Sequence, residues 1–154
     1  MNDEQTTSLE ELPNDSDSVR RVKALYRALK QKDQQSIRQI LVDEPVWDVS
    51  PGFPEGGIYS GVAQIFGGFY RELLARVHSF GAFPDCFVDG GDTVVALGRY
   101  RVEKDEGSAP IWIRFSHTWR IDDDGRVKGV WQVADSARFF AHSPTEQTGL
   151  SARA

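Results

Sequence analysis

The sequence has a single cysteine, Cys86, among its 154 residues, so no disulfide can form within one chain. Without a second thiol or clustered histidines, it offers no pattern of structural metal ligands. No apolar run approaches the roughly 20 residues that a membrane-spanning helix needs. Eighteen Lys and Arg against 23 Asp and Glu give a net charge of −5, which disfavours a general nucleic-acid binder. We therefore expect no cofactor, no metal, no nucleic-acid partner and no membrane partner.

The length and composition of the chain predict one folded domain between polar ends. The length fits a single domain, and hydrophobic residues make up an ordinary 40% of it. Residues 1–16 are acidic and interrupted by Pro13, and residues 143–154 are also polar. Both segments are predicted to be flexible tails around a domain at residues 17–142. The first stretch lacks the apolar core of a secretory signal, which favours a cytoplasmic protein.

Helical periodicity is confined to the first half of the predicted domain. Apolar residues recur at helical spacing in three segments, Val19–Leu29, Ile37–Leu41 and Ile65–Val77. Asp33 is the predicted cap of the second helix. Gly67 and Gly68 weaken the third helix and predict a bend or a close packing contact there.

After residue 78 the apolar period changes to two, which predicts strands. Pro84 indicates an edge strand or a bulge, because proline cannot donate to a sheet. The stretches GGD, EKDEGSA and DDDGR are typical turns that divide this region into an antiparallel meander. VWDVS, at residues 46–50, adds a short strand between the helices. Helices on one face of a curved sheet make an α+β fold that encloses a pocket.

Two polar residues fall on the apolar face of the last predicted hairpin. Alternation along IWIRFSHTWRI places His117 on the interior face with Phe115 and Trp119. In the final strand the same alternation places Trp131 and Asp135 inward, unless a bulge resets it. A buried imidazole and a buried carboxylate cost free energy unless they are paired or hydrated, so together they indicate a pocket floor. A satisfied core histidine and an aspartate at a strand end are the alternative interpretation.

Several segments, in this order, resemble SnoaL-like polyketide cyclases and ketosteroid-isomerase-like proteins of the nuclear transport factor 2-like superfamily. The segments are VKALYRALKQKD, VWDVSPG, GIYSGVAQIFGGFY, DGGDTVVALGRYRV, FSHTWRIDDDGRV and WQVADSARF. The resemblance implies a cone-shaped α+β barrel with three N-terminal helices packed on a curved, mostly antiparallel sheet. It also implies an apolar pocket for a small hydrophobic molecule and a homodimer.

The resemblance also implies roles for individual residues. In steroid-isomerase-like members a strand aspartate moves the proton, and Asp48 stands at that position. In polyketide-cyclase-like members an aspartate near the end of the last strand is the base and a histidine assists, which matches Asp135 and His117. The first-helix tyrosine of the isomerase site corresponds to Leu25. Tyr26, one residue along, is therefore expected to point elsewhere.

Three functions remain open at this point. The first is acid–base catalysis without a cofactor, in which Asp48 or Asp135 abstracts a proton next to a carbonyl of a hydrophobic substrate. The second is non-catalytic ligand binding or dimerisation, and the third is a dehydratase that uses the same Asp and His pair. If Trp47 faces the pocket, Asp48 points away and only one base is left. The expected pocket walls are Trp119, Trp131, Phe115, Tyr100 and Tyr59.

Overall fold

The computed structural model describes residues 8–141. Two helices, α1 (Asp17–Gln31) and α2 (Gln34–Ile40), lead into strands β1 (Leu41–Val49) and β2 (Gly57–Ser60). A third helical stretch consists of α3 (Val62–Gln64), a π-helical turn (Ile65–Tyr70) and α4 (Arg71–Ala75). The remaining elements are β3 (Ser79–Asp89), β4 (Thr93–Glu103), β5 (Ile111–Ile121), β6 (Val127–Ala134) and α5 (Ser136–Phe139). In this range no helix has the length and apolar character required to cross a membrane.

The strands form one mixed sheet in the order β2-β1-β6-β5-β4-β3. β1 and β6 run parallel, and the other neighbouring strands run antiparallel. The sheet is curved but not closed, because its edge strands β2 and β3 do not pair with each other. The helices cover its concave side, here called the inner face, and leave the outer face exposed. The predicted cone-shaped α+β fold is confirmed, with a sheet that is mostly antiparallel.

Capping side chains set the N-terminal ends of the first two helices. The Ser16 hydroxyl caps α1 by accepting a hydrogen bond from the Val19 amide at 3.2 Å. Asp33 caps α2, as predicted, by accepting from the Ser36 amide at 3.2 Å. Between the two helices, Lys32 adopts a left-handed conformation with φ 55°. That conformation ends α1 and turns the chain directly into α2.

The two glycines of the third helical stretch lie where that helix widens. Gly67 and Gly68 both fall inside the π-helical turn, so the predicted irregularity takes the form of a wider turn. The turn carries Phe66, Phe69 and Tyr70, which line the space above the inner face of the sheet. The two glycines that weaken an ordinary helix thus lie in the same turn as the aromatic residues that cover the inner face.

The packed part of the chain begins before the predicted boundary at residue 16. Leu9 is only 7% exposed and belongs to the core. The Lys23 ammonium, on α1, donates to the Glu10 carbonyl at 2.9 Å and to the Asp15 carboxylate at 2.7 Å. Residues 8–16 are therefore fastened to α1 and are not a free tail. The rest of the predicted tails, residues 1–7 and 143–154, lies outside the described residues.

The edge strand β3 has an irregularity at Pro84, as the sequence predicts. The register between β3 and β4 shifts between Pro84 and Cys86, directly opposite Gly98. A Cβ atom on Gly98 would lie 2.4 Å from the Phe83 carbonyl oxygen and 2.7 Å from the Phe115 ring. Glycine at this position therefore allows the edge strand β3 and an aromatic ring of the inner face to approach the same point of β4.

Replacing Gly98 should destabilise the fold. In Gly98→Ala the new methyl group meets backbone atoms that cannot rotate away, so we expect the free energy of unfolding to fall by about 1–3 kcal/mol. Gly67→Ala is the matched control, because nothing lies within 4 Å of a Cβ atom there and alanine favours a helix. Urea denaturation of both variants would measure the difference, and equal stabilities would contradict the close approach at Gly98.

Candidate ligand-binding site

A cavity of about 750 Å³ lies between the inner face of the sheet and the helices. A volume in this range accommodates a small organic molecule. Most of its lining is apolar or aromatic: Leu29, Ile37, Trp47, Val49, Phe66, Phe69, Leu73, Phe80, Ala82, Phe83, Trp119 and Val130. The exposed lining residues mark its mouth: Lys30, Lys32, Gln34, Arg71, Leu74 and His78.

The buried polar groups of the cavity gather around His117, which is 7% exposed in the middle of β5. Its Nδ1 atom lies 2.6 Å from the hydroxyl of Tyr26 on α1. Its Nε2 atom lies 2.6 Å from the hydroxyl of Tyr100 on β4. The indole of Trp119 donates to the Tyr26 hydroxyl at 2.9 Å, and the amide of Gln132 donates to the Tyr100 hydroxyl at 3.1 Å. Tyr26, His117 and Tyr100 are called the Tyr–His–Tyr chain below.

Strand register brings these groups together. His117 pairs across the sheet with Ala96 on β4 and with Gln132 on β6. Directly paired residues of neighbouring strands share a face, so the imidazole lies between a small side chain and an amide. The Phe115 ring stacks on the imidazole with a centroid distance of 3.9 Å. The histidine is therefore held by an aromatic ring on one side and by a hydroxyl group at each ring nitrogen.

The protons of this network can be counted. The side-chain oxygen of Gln132 accepts from the Ser50 amide at 3.1 Å, so its NH₂ group must be the one that faces Tyr100. A neutral imidazole has one N–H and one acceptor nitrogen. The two Tyr–His hydrogen bonds use two protons, whereas two hydroxyls and one N–H supply three. One tyrosine hydroxyl proton therefore remains for a further acceptor, whichever nitrogen of the histidine is protonated.

Burial keeps every member of the Tyr–His–Tyr chain neutral. Loss of solvation lowers the pKa of His117 to about 3, because a charged imidazolium is disfavoured away from water. The same burial raises the pKa of the Tyr26 and Tyr100 hydroxyls above their ordinary value. At neutral pH the three side chains are thus an uncharged imidazole and two protonated phenols, as the proton count requires.

Tyr70, in the π-helical turn, is a second hydroxyl group on the cavity wall. It accepts a hydrogen bond from the indole of Trp47 at 3.0 Å. Burial raises its pKa as well, so the hydroxyl keeps its proton at neutral pH. The cavity therefore combines apolar walls with neutral hydroxyl donors, a combination that suits an uncharged oxygen acceptor on a bound molecule.

Of the three predicted catalytic residues, the structure places only His117 at the cavity. Asp48 points to the outer face of β1, because its neighbour Trp47 faces the cavity and is 2% exposed. Asp135 is exposed at the start of α5, and its backbone amide donates to the Arg114 carbonyl at 2.9 Å. The expected Asp and His pair is not assembled. No carboxylate lines the cavity in the described part of the chain.

A β-bulge at Lys128 explains the error in the last strand. The pairing of β6 with β5 skips this residue, and one extra residue reverses the alternation that follows it. Val127, before the bulge, is fully buried. After it, Gln132 points inward and Trp131 is 52% exposed on the outer face. The predicted inward positions of Trp131 and Asp135 are therefore wrong for the same reason.

The other predicted wall residues have different positions. Trp119 and Tyr100 line the cavity, as expected. Phe115 is buried on the inner face, where its ring stacks on the imidazole of His117. Tyr59, on β2, is half-buried and does not belong to the lining. Two of the five expected aromatic walls thus contact the cavity, and a third positions its histidine.

The sequence interpretation missed Tyr26 and Gln132. Tyr26 was expected to point elsewhere because Leu25 occupies the position implied by the resemblance. In the structure both residues are buried, and Tyr26 reaches His117. Its place in the apolar stripe of α1 was the available signal for an inward orientation. For Gln132 the available signal was Gly129, since a glycine inside a strand pattern is typical of a bulge.

The buried neutral histidine predicts a specific loss of stability in acid. Below its ordinary pKa of 6.5 the unfolded chain binds a proton that the folded chain, with a pKa near 3, does not bind. The free energy of unfolding should therefore fall as the pH falls, by about 2 kcal/mol between pH 7 and pH 5. Urea denaturation at a series of pH values would measure this contribution.

His117→Gln should lose this part of the pH dependence, whatever its overall stability. His78→Gln makes the same change at an exposed position and should retain the loss of stability in acid that is due to His117. Nuclear magnetic resonance provides a direct check, because the ring signals of His117 should stay constant between about pH 5 and pH 8. Titration of the His117 ring inside that window would contradict the neutral Tyr–His–Tyr chain.

Comparison with known families and sequences gives one family match. The model of the SnoaL-like domain matches residues 22–130. The comparison with curated proteins finds no significant match.

Solved structures share the fold at low sequence identity. An NTF2-like protein of unknown function from Burkholderia pseudomallei K96243 matches with a TM-score of 0.72 and 23% identity, over 82% of this chain and 96% of that one. TerC, co-crystallized with polyporic acid, has a TM-score of 0.71 and 21% identity, over 81% and 96%. A putative SnoaL-like polyketide cyclase from Shewanella denitrificans OS-217 has a TM-score of 0.66 and 18% identity, over 80% and 93%. These similarities show the fold.

Proposed function

Because the chain belongs to the SnoaL-like domain family, we propose that its cavity binds a small apolar molecule and polarises a carbonyl or similar oxygen of that molecule. One observation carries the proposal: the Tyr–His–Tyr chain has one hydroxyl proton more than its own hydrogen bonds use. The apolar walls hold the body of the ligand, and the remaining hydroxyl proton is donated to its oxygen.

Polarisation is the chemistry that these donors perform best. A fixed donor in a site with little water stabilises negative charge that develops on a carbonyl oxygen. The donating tyrosine accepts from the His117 N–H at the same time, which strengthens its own hydrogen bond to the ligand. A carbonyl activated in this way is attacked more easily by a nucleophilic carbon of the same molecule. The proposal therefore includes assistance to an intramolecular cyclisation.

Proton abstraction by Asp48 or Asp135 is not part of the proposal. Neither side chain lines the cavity, and a general base must come within hydrogen-bond reach of the proton that it removes. The low pKa of His117, about 3, makes the imidazole a weak base as well. Any base for an enolisation step is therefore expected to come from the ligand or from water.

A fluorescent ketone tests the donor directly. Propionyl-dimethylaminonaphthalene has an apolar ring system and a carbonyl, and its emission moves to longer wavelength when that carbonyl accepts a hydrogen bond. We expect it to bind and to emit from a hydrogen-bonded state. Tyr26→Phe or Tyr100→Phe should shift the bound emission to shorter wavelength and weaken binding by up to about tenfold, since one hydrogen bond contributes about 0.5–1.5 kcal/mol.

Tyr59→Phe is the matched control, because it removes a tyrosine hydroxyl outside the cavity and should leave both signals unchanged. Tyr70→Phe tests the other hydroxyl on the wall. A shift in the Tyr70 variant alone would assign the donor to Tyr70 and contradict the role of the Tyr–His–Tyr chain. Failure of the ketone to bind the unmodified protein would contradict the proposed function.

Natural ligands can be sought by thermal denaturation. Polyporic acid, with which the structurally similar TerC was co-crystallized, belongs in the first panel together with aromatic polyketides and steroids. A ligand at about 100 times its Kd adds about 2.7 kcal/mol to the stability of the folded state. A compound that stabilises the unmodified protein but not the Tyr100→Phe variant would identify the class of oxygen acceptor.

We also propose that a second copy of the chain covers the outer face of the sheet. Neighbouring outward residues of β3, β4, β5 and β6, Val88, Val95, Thr118 and Trp131, form one cross-strand row. Val88 is 53% exposed and Trp131 is 52% exposed. Exposed apolar side chains on a sheet face are typical of protein interfaces, and a symmetric pair of sheets buries the same row from each copy.

Sedimentation equilibrium tests this assembly. The unmodified protein should sediment as a dimer, and Trp131→Glu should shift the equilibrium towards monomer because it brings a charge into the apolar row. Leu12→Glu is the control, since Leu12 is 54% exposed in the N-terminal segment and does not lie on the sheet. A dimer of unchanged strength in the Trp131 variant would contradict the use of this face.

A further inference from the structure

The mouth of the cavity is cationic although the chain as a whole is acidic. Lys30, Lys32 and Arg71 are exposed lining residues that carry positive charge. Within residues 8–141 no Asp or Glu belongs to the lining, whereas the full chain has a net charge of −5. The charged side chains of the lining are therefore all cationic, and they lie beside apolar walls of low dielectric constant that strengthen their field.

Helix chemistry accounts for only part of this charge. Lys30 and Lys32 lie at the C-terminal end of α1, where cations interact favourably with the helix dipole. Arg71 belongs to a different helix, at the junction of the π-helical turn and α4. Moreover, Lys32 adopts φ 55°, a conformation for which glycine or asparagine is the usual residue. The charges come from separate elements that line the same cavity.

The interior of the cavity, unlike its mouth, offers no positive charge to an anion. The Tyr–His–Tyr chain is neutral, and the lining residues that carry positive charge are exposed at the mouth. An anionic group placed beside His117 would lose its hydration without meeting an opposite charge, which costs free energy. Electrostatics therefore sets a direction for a bound molecule, with a neutral oxygen at the buried end and any negative charge at the mouth.

From this polarity, and on the basis of the proposed function, we propose that the natural ligand is an apolar organic acid. Its carboxylate or equivalent acidic group lies at the mouth near Lys32 and Arg71, its apolar body fills the cavity, and an oxygen acceptor at the other end meets the Tyr–His–Tyr chain. The charge contact is exposed to solvent, so it contributes modestly to affinity and weakens as salt is added.

Two fluorescent probes that differ by one charge test this ligand class. Phenylnaphthylamine is apolar and uncharged, and anilinonaphthalene sulfonate has the same ring system with an added sulfonate. Both increase their emission in an apolar site. We expect the sulfonate to bind more tightly than the neutral probe at low salt. An increase in ionic strength from about 0.02 M to about 0.5 M should remove most of that preference.

Charge-removing variants locate the effect. Lys32→Asn removes a charge and retains a residue that tolerates positive φ, and Arg71→Gln removes a charge on the other helix. Each should weaken binding of the sulfonate by about two- to fivefold at low salt and leave the neutral probe unaffected. Lys128→Gln, a charge removal at an exposed position outside the cavity lining, should change neither affinity. Ala82→Trp, which adds an indole to the cavity wall, should weaken both probes.

The outcomes separate this inference from the proposed function. If both probes bind with equal affinity, or if Lys128→Gln weakens the sulfonate as much as the mouth variants do, the organic-acid ligand is contradicted and the apolar cavity stands. If neither probe binds, the proposed function itself is contradicted. A preference for the sulfonate that disappears in both Lys32→Asn and Arg71→Gln supports the inference.

Discussion

The site depends on one buried imidazole that is held without charge between two phenols. His117 has no carboxylate beside it, so burial lowers its pKa and the two hydroxyls become its hydrogen-bond partners. Each hydroxyl is fixed in turn by an N–H donor, the indole of Trp119 or the amide of Gln132. This arrangement needs α1, β4, β5 and β6 in correct register. The hydrogen-bonding capacity of the cavity is therefore a property of the whole fold and not of one loop.

A neutral network is compatible with a cavity that is apolar in most of its lining. Charged groups in such a place would need counter-charges or water, and both would occupy the volume that a ligand fills. Hydroxyls, an amide and an indole satisfy one another, and one hydroxyl proton is left for a further acceptor. Positive charge is restricted to the solvent-exposed mouth, where the cost of desolvation is small.

The fold follows from local patterns in the sequence to a large extent. Helical spacing, the Asp33 cap, the turn stretches and the proline of the edge strand are short-range signals, and the structure bears each of them out. The site follows less well, because it depends on long-range register. His117 was correctly placed by alternation along an unbroken strand, whereas Asp135 was misplaced by a bulge that the alternation count passed over. Tyr26 was misplaced because the resemblance pointed to Leu25 as the inward residue, whereas Leu25 and Tyr26 are both buried in the structure.

The bulge at Lys128 links two surfaces that have no contact with each other. In β6 the residue that closes the polar network and the indole of the outer face are neighbours, Gln132 and Trp131. The extra residue sets which side chains of the strand face inward. Without it, the Trp131 indole would enter the cavity and the Gln132 amide would face outward, while most of the backbone hydrogen bonds could be retained. The same one-residue insertion thus decides which side chains of β6 face the cavity and which face outward. A change in the length of this bulge would alter both surfaces together.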